Sequence, residues 1–181
     1  MQVAAWEESG LTHHHDLARA CCTVFVVLCR DLVLGHSWDV CLHHASELPC
    51  LQAEELVAVV NVLRTSQTLL PPTRRAAIFE ARSKLRDGGF CVDALGAALH
   101  FAVLAESFEE AIAAAKKFAG ADNYCPVLVG ALLGARFGAE EVVANKKSRS
   151  HSEDKYAALM DQVQTVSKEL ARSWSWSGSA A

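Results

Sequence analysis

The chain has 181 residues, of which 51% are hydrophobic, and its formal net charge is -4 with a pI near 6.0. This length and apolar content suffice for a domain with a hydrophobic core, and the mild negative charge gives no general attraction to nucleic acid or to an anionic membrane. The most apolar run, Ala20 to Cys29, is too short to span a membrane, and the N-terminus has no secretory signal pattern. Seven cysteines without a CxxC pair indicate a reducing compartment. We therefore expect a cytoplasmic protein that binds neither nucleic acid nor membrane.

Helical periodicity dominates the chain, although residues 1–12 lack it and are predicted to lie on the surface. The first predicted helix begins at Asp16, which could cap its first turn, and ends at Leu34, because Gly35 can adopt the left-handed conformation that terminates helices. Ser107 and Glu110 form a capping box at the start of a later helix. Further helices are predicted at 37–46, 52–67, 73–86, 92–105, 107–118 and from Pro126 onward. Since every assigned element is a helix, the predicted fold class is all-α.

The sequence pattern changes after Gly138. Residues 144–155 are polar and read as an exposed linker. Residues 156–170 resume an amphipathic pattern, with an apolar stripe that could dock on the domain or on a partner. The predicted organisation is a helical domain at 1–143, a linker at 144–155, and a C-terminal helix with its tail at 156–181.

The stretch from Gly88 to Gly138 is the one around which the rest of the chain is organised. Gly130, Gly134 and Gly138 recur at helical spacing, so one helix face has almost no side chains. Glycine in a helix interior costs about 1 kcal/mol relative to alanine. Their spacing therefore predicts that another backbone approaches this helix closely.

Asp122 and Asn123 are the best candidates for binding chemistry, because they lie in the polar loop that precedes this helix. Hard divalent cations prefer oxygen ligands such as carboxylates and amide carbonyls. The alternative is that both residues only form a turn and cap the helix beginning near Pro126, since both residue types favour such positions. Residue pattern alone favours the turn.

The histidines and one cysteine are weaker candidates. His13, His14 and His15 are consecutive and cannot all face one ion, and the same limit applies to His43 and His44. A solvated segment is the favoured interpretation. Cys125 lies close to a helix start, where the dipole lowers a thiol pKa, but no histidine lies near it in sequence. We do not expect it to be a nucleophile.

Three segments of the chain resemble the ADP-ribosylglycohydrolases and the related J1-type crystallins. They are SFEEA at 107–111, the Gly-Ala-Asp-Asn loop at 120–123, and the small-residue helix VGALLGARFG at 129–138; a weaker match is the Thr-His segment containing His13. The resemblance covers about residues 9–143. It implies an all-α orthogonal multi-helix bundle and a Mg²⁺ or Mn²⁺ cofactor. It also implies hydrolysis of the bond between ADP-ribose and a modified residue of a protein.

The chain also departs from the family pattern. The Gly-Asp turn and Thr-Asp-Asp cluster of the family's N-terminal third are not found before Leu11. In one correspondence, the family's two C-terminal metal-binding aspartates fall on Ala121 and Asn123. In the alternative, Asp122 and Asn123 match the Asp-Asn pair of the J1-type branch, and the loop is one residue short. The resemblance thus implies a domain lacking its N-terminal part and half of its metal site, through true loss or an incomplete gene model. The alternative function is a catalytically inactive crystallin-like structural protein, or an interaction domain that self-associates or binds another protein.

Overall fold

The computed structural model describes residues 1–70 and 82–144, together with residues 162, 165 and 166. Its helices are α1 (Gln2–Gly10), α2 (Asp16–Val33), α3 (Trp38–Ser46), α4 (Val57–Gln67), α5 (Cys91–Val103), α6 (Phe108–Phe118) and α7 (Cys125–Ala144). Helix α7 is kinked at Gly138, whose φ of 81° is not helical. Two short 3-10 helices, Pro49–Gln52 and Glu54–Leu56, precede α4. The described residues contain no strand. The all-α prediction is therefore confirmed.

The core forms around α2 and α5. Helix α2 packs against α1, α3, α4 and α5, and α5 also packs against α4 and α6. Three consecutive residues of α5, Ala97, Ala98 and Leu99, are completely buried. Consecutive helical residues point in different directions, so α5 is covered on all sides. Its small alanines let the neighbouring helices approach, as expected for a central helix.

Helix α7 packs through its large apolar side chains and not through its glycines. Cys125, Val129, Leu132 and Leu133 are completely buried, and their spacing of four, three and one places them on one face. A Cβ atom at Gly130 would meet only the Ile112 side chain, at 3.5 Å, and no described atom would lie within 4 Å of one at the other two glycines. The predicted close approach of another backbone to this helix is therefore wrong for the described residues.

Residues 2–10 form a helix that the sequence did not indicate. Its buried side chains, Ala5 and Ser9, are small, so they give almost no apolar signal. The helix is held to α2 by Arg19, whose guanidinium lies 4.2 Å from the ring centre of Trp6 and whose Nε donates to the Trp6 carbonyl oxygen at 3.1 Å. Most residues of 1–12 are exposed, as predicted, and the helix itself escaped prediction because contacts with α2, and not its own periodicity, stabilise α1.

The observed ends of the helices agree in part with the ends predicted from the sequence. Gly35 ends α2 with a φ of 80°, and the Ser107 hydroxyl accepts a hydrogen bond from the Glu110 backbone N–H at 3.3 Å, as predicted. Helix α2 is capped by His15 instead of Asp16, since the His15 Nδ1 accepts from the Leu17 N–H. The helix predicted from residue 52 begins at Val57, because the preceding residues form the two 3-10 helices.

The chain divides into two compact units, residues 1–143 and 144–181. In the second unit, the structure describes residues 162, 165 and 166 as helical. Residues 73–81 of the helix predicted at 73–86, the linker after residue 144 and most of the C-terminal helix lie outside the described residues, so the three-part domain organisation stays a prediction. Within the described ranges, no helix has the length and apolarity needed to cross a membrane.

Candidate functional site

Asn123 fastens two loops together. Its side-chain nitrogen donates to the carbonyl oxygens of Gly88 at 2.9 Å and of Arg86 at 3.3 Å, and its side-chain oxygen accepts from the backbone N–H of Cys125 at 2.8 Å. The side chain is only 6% exposed. Asn123 therefore joins the loop before α5 to the first turn of α7, and all three of its hydrogen bonds go to backbone atoms.

The same two loops, 84–90 and 119–124, touch backbone to backbone, and we call them the loop pair. A Cβ atom at Gly89 would lie 2.9 Å from the Asp122 carbonyl oxygen, and one at Gly120 would lie 3.0 Å from the Asp87 carbonyl oxygen. A side chain at Gly89 would therefore force the backbone to shift, and one at Gly120 would be tightly crowded. The close backbone approach that the sequence predicted for α7 occurs here instead.

Two exposed carboxylates lie on the loop pair. Asp122 is exposed, as its predicted role requires, and Asp87 is exposed on the facing loop. Asp87 lies against Gly120, and Asp122 lies against Gly89. The sequence analysis did not select Asp87, which immediately precedes the stretch from Gly88 to Gly138. The signal that could have indicated Asp87 is that it lies in a polar loop with an adjacent glycine before an apolar helix, as Asp122 does.

A cavity of about 170 Å³ lies beside the loop pair, between α4 and α5. Its polar lining residues are Asn61, Thr65, Ser66, Lys84, Arg86, Asp93 and His100. Since Arg86 also accepts a hydrogen bond from Asn123 through its carbonyl oxygen, the cavity and the loop pair share one loop.

Two polar residues of this cavity are buried, Ser66 and His100, and His100 is the titratable one. His100 is 5% exposed, and its Nδ1 has no hydrogen-bond partner among the described atoms. Burial, which is the larger cause, and the positive charge of Arg82 together lower the pKa of His100 to about 4. The imidazole is therefore neutral at physiological pH and can either donate or accept one hydrogen bond.

The other predicted candidates do not join the loop pair. His13, His14 and His15 are exposed, and the His13 Nδ1 lies 2.8 Å from the Thr12 hydroxyl. The thiol of Cys125 is completely buried, and burial raises its pKa to about 11. It is therefore a protonated thiol, which agrees with the prediction that it is not a nucleophile.

Comparison of the sequence with known protein families identifies the family of this chain. The model of the ADP-ribosylglycohydrolase family matches residues 1–175. The chain belongs to the ADP-ribosylglycohydrolase family. No curated protein and no solved structure matches the chain significantly. ADP-ribosylglycohydrolases act on ADP-ribosylated substrates and generally depend on divalent metal ions.

The loop pair fits a hard divalent cation through its carboxylates. Mg²⁺ is usually bound by one or two carboxylates, together with waters and substrate oxygens, and Asp87 and Asp122 offer such groups. Ala121, on which the sequence resemblance predicts that a metal-binding aspartate of the family falls, is exposed. The Asn123 side-chain oxygen already accepts from the Cys125 N–H inside the loop pair. The described hydrogen bonds thus give Asn123 a positioning role, and its assignment as a metal ligand stays a prediction.

Proposed function

We propose that this chain hydrolyses the glycosidic bond between ADP-ribose and a modified residue, and that it does so at the loop pair with a divalent cation. The observation that carries this proposal is the arrangement of one short loop. Residues 84–87 place Lys84 and Arg86 in the wall of the cavity and Asp87 beside Gly120 on the loop pair. A substrate in the cavity would therefore have its scissile bond close to the exposed carboxylates.

The cavity suits the diphosphate and hydroxyl groups of ADP-ribose. A guanidinium binds phosphate oxygens through two parallel hydrogen bonds, which is the role we assign to Arg86. Thr65 and Asn61 offer donors and acceptors for ribose hydroxyls from the α4 side. Neutral His100 provides one further hydrogen bond without adding charge, because its pKa is about 4.

Asp122 and Asp87 are the residues that would hold Mg²⁺ or Mn²⁺. When bound, such an ion polarises oxygen atoms and lowers the pKa of a coordinated water. A carboxylate of the loop pair accepts the proton of the attacking water, which is general-base catalysis. The contacts of Gly89 and Gly120 fix the spacing of the two loops that carry these carboxylates.

Release of ADP-ribose tests the proposed hydrolase. The full chain is incubated with an ADP-ribosylated arginine peptide and Mg²⁺, and free ADP-ribose is measured. Asp122→Ala should lower the rate at least about 100-fold, and a chelator should have the same effect. Glu109→Ala, at an exposed carboxylate in the first turn of α6, is the matched control and should keep the wild-type rate. Release that is equal in Asp122→Ala would exclude this site.

The second candidate function is a catalytically inactive, crystallin-like structural or interaction protein. It is favoured by Ala121 and by the inward hydrogen bonds of Asn123, which leave fewer free oxygens than a two-ion site needs. Thermal unfolding with ADP-ribose and Mg²⁺ separates the two candidates. A ligand at a hundred times its dissociation constant adds about 2.7 kcal/mol of stability. Stabilisation without turnover would indicate binding alone, and no stabilisation would indicate a structural role.

Two further parts of the proposal concern the setting of the protein. The seven cysteines are free thiols, which supports a cytoplasmic location, where the reducing environment keeps thiols unpaired. Self-association or a protein partner is proposed for the inactive alternative. Light scattering over a range of concentrations tests it, and a strict monomer would count against self-association.

A further inference from the structure

A completely buried carboxylate meets two half-exposed imidazoles where α2 turns into α3. The Asp31 side chain is 0% exposed, while His36 and His44 are 40% and 47% exposed. The His44 Nδ1 lies 2.8 Å from the Asp31 Oδ2, and the His36 Nδ1 lies 3.9 Å from the Asp31 Oδ1. We call these three residues the histidine corner. They form the one group of three His, Cys, Asp or Glu side chains at metal-binding spacing within the described ranges.

The end of α2 builds this arrangement. Gly35 takes the left-handed conformation, with a φ of 80°. Its N–H donates to the Leu32 carbonyl oxygen, and the N–H of His36 donates to the Asp31 carbonyl oxygen, both at 3.0 Å. This pair of hydrogen bonds is the Schellman motif, which brings the residue after the glycine back over the last turn. His36 is therefore returned to Asp31, and α3 adds His44 from the other side.

Two more side chains touch the corner, and both are compatible with a metal ion. The Arg30 Nη1 lies 3.2 Å from the Asp31 Oδ1, but this guanidinium is 41% exposed and can turn to solvent. The Cys41 thiol donates to the His36 carbonyl oxygen at 3.7 Å. Cys41 is not one of the three residues whose ligand atoms lie within 4.8 Å of one another.

We propose that the histidine corner binds a zinc ion through two imidazole nitrogens and one carboxylate oxygen, with water in the fourth position. Imidazole suits zinc, whereas Mg²⁺ prefers oxygen ligands only. The ligating atoms lie within 4.8 Å of one another, and a tetrahedral zinc site requires roughly 3.4 Å between ligands bonded at 2.0 to 2.1 Å. Rotation of the two half-exposed imidazoles brings the ligating atoms closer to this distance. The solvent-exposed side of the histidine corner admits the ion and its water.

Zinc titration of the full chain by calorimetry tests this proposal, with Mg²⁺ titrated in parallel. Loss of residues that only orient a metal ligand already costs about 10–100-fold in affinity. His36→Ala and His44→Ala should therefore each weaken zinc binding at least about 10-fold. The matched control is His43→Ala, because His43 is an exposed neighbour on the same helix and should leave the affinity unchanged. Mg²⁺ should not compete at equal concentration.

Cobalt substitution distinguishes this site from metal binding by Cys22, which is an exposed cysteine. Co²⁺ in the histidine corner should give the visible absorption of a four-coordinate ion without the thiolate charge-transfer band that a cysteine ligand would add. Asp31→Asn, checked by circular dichroism, provides a variant of nearly the same size in case an alanine variant unfolds. The proposal is overturned if wild type does not bind zinc, if all three histidine variants bind equally, or if the thiolate band appears. It does not depend on the hydrolase activity, and its failure would leave the loop pair unaffected.

Discussion

The loop pair and the histidine corner use polar side chains in opposite ways. In the loop pair, the polar atoms of Asn123 point inward to backbone groups, and the carboxylates lie outside. In the histidine corner, the carboxylate of Asp31 is buried and the imidazoles reach the surface. A buried amide fixes the position of two loops, whereas a buried carboxylate concentrates negative charge where a cation can be held. The first arrangement determines shape, and the second creates an electrostatic site.

The largest expected effect concerns the buried His100 of the cavity beside the loop pair. Its folded-state pKa of about 4 lies below the ordinary value of 6.5, so the unfolded chain takes up the proton first as the pH falls. Stability contributed by this residue is present above pH 6.5 and is lost between pH 6.5 and 4. The loss should reach about 3 kcal/mol. Urea unfolding at pH 7, 5 and 4 measures it.

The variant His100→Leu should flatten this pH dependence, because it removes both the titrating group and its unpaired nitrogen. His14→Ala, at an exposed histidine, is the control and should keep the wild-type dependence. If His100→Leu unfolded with the same pH dependence as wild type, another group would be responsible for it.

The next effect compares Asn123 with its neighbour Asp122. Asn123→Ala removes a helix-capping hydrogen bond and two bonds to loop carbonyls, and should lower the free energy of unfolding by about 2 kcal/mol. Asp122→Ala, at an exposed position, should change it by less than about 0.5 kcal/mol. Urea denaturation of both variants checks this. Equal losses would mean that Asn123 does not fasten the loop pair.

The smallest effect concerns Gly35, which immediately precedes His36 of the histidine corner. Nothing lies within 4 Å of a Cβ atom there, so Gly35→Ala meets only the strain of a φ of +80°. This strain costs about 1 kcal/mol. Gly88→Ala is the control, because Gly88 has open space and no positive φ. The measurement is thermal unfolding of both variants, and a Gly88→Ala loss as large as that of Gly35→Ala would contradict the explanation from backbone strain.

The local features of the fold could be predicted from the sequence. The helices around the core, the Ser107 cap and the left-handed Gly35 follow from periodicity and from residues close together in the chain. Helix α1 could not be predicted, because Arg19 of α2 and the Trp6 carbonyl oxygen stabilise it across the turn. The glycine contacts were assigned to the wrong element, since the approach of Gly89 to Asp122 is a contact between distant loops.

The candidate site was predictable in position and not in geometry. Composition placed Asp122 and Asn123 in a polar loop before a helix. The Asn123 side-chain amide donates hydrogen bonds to carbonyl oxygens 35 and 37 residues earlier in the chain. No sequence pattern indicates such a pairing. The sequence analysis likewise considered only histidines that are adjacent in the chain. It therefore missed that His36 and His44 both lie close to the Asp31 carboxylate of α2.

The bonds of Asn123 also have a consequence for how this part of the protein opens. Helices α5 and α6 pack on each other, and Asn123 ties the segment entering α5 to the segment leaving α6. The Asn123 side chain thus links the start of α5 to the end of α6. Local opening at either end releases the other, so the α5–α6 hairpin should exchange its amide protons as one cooperative unit.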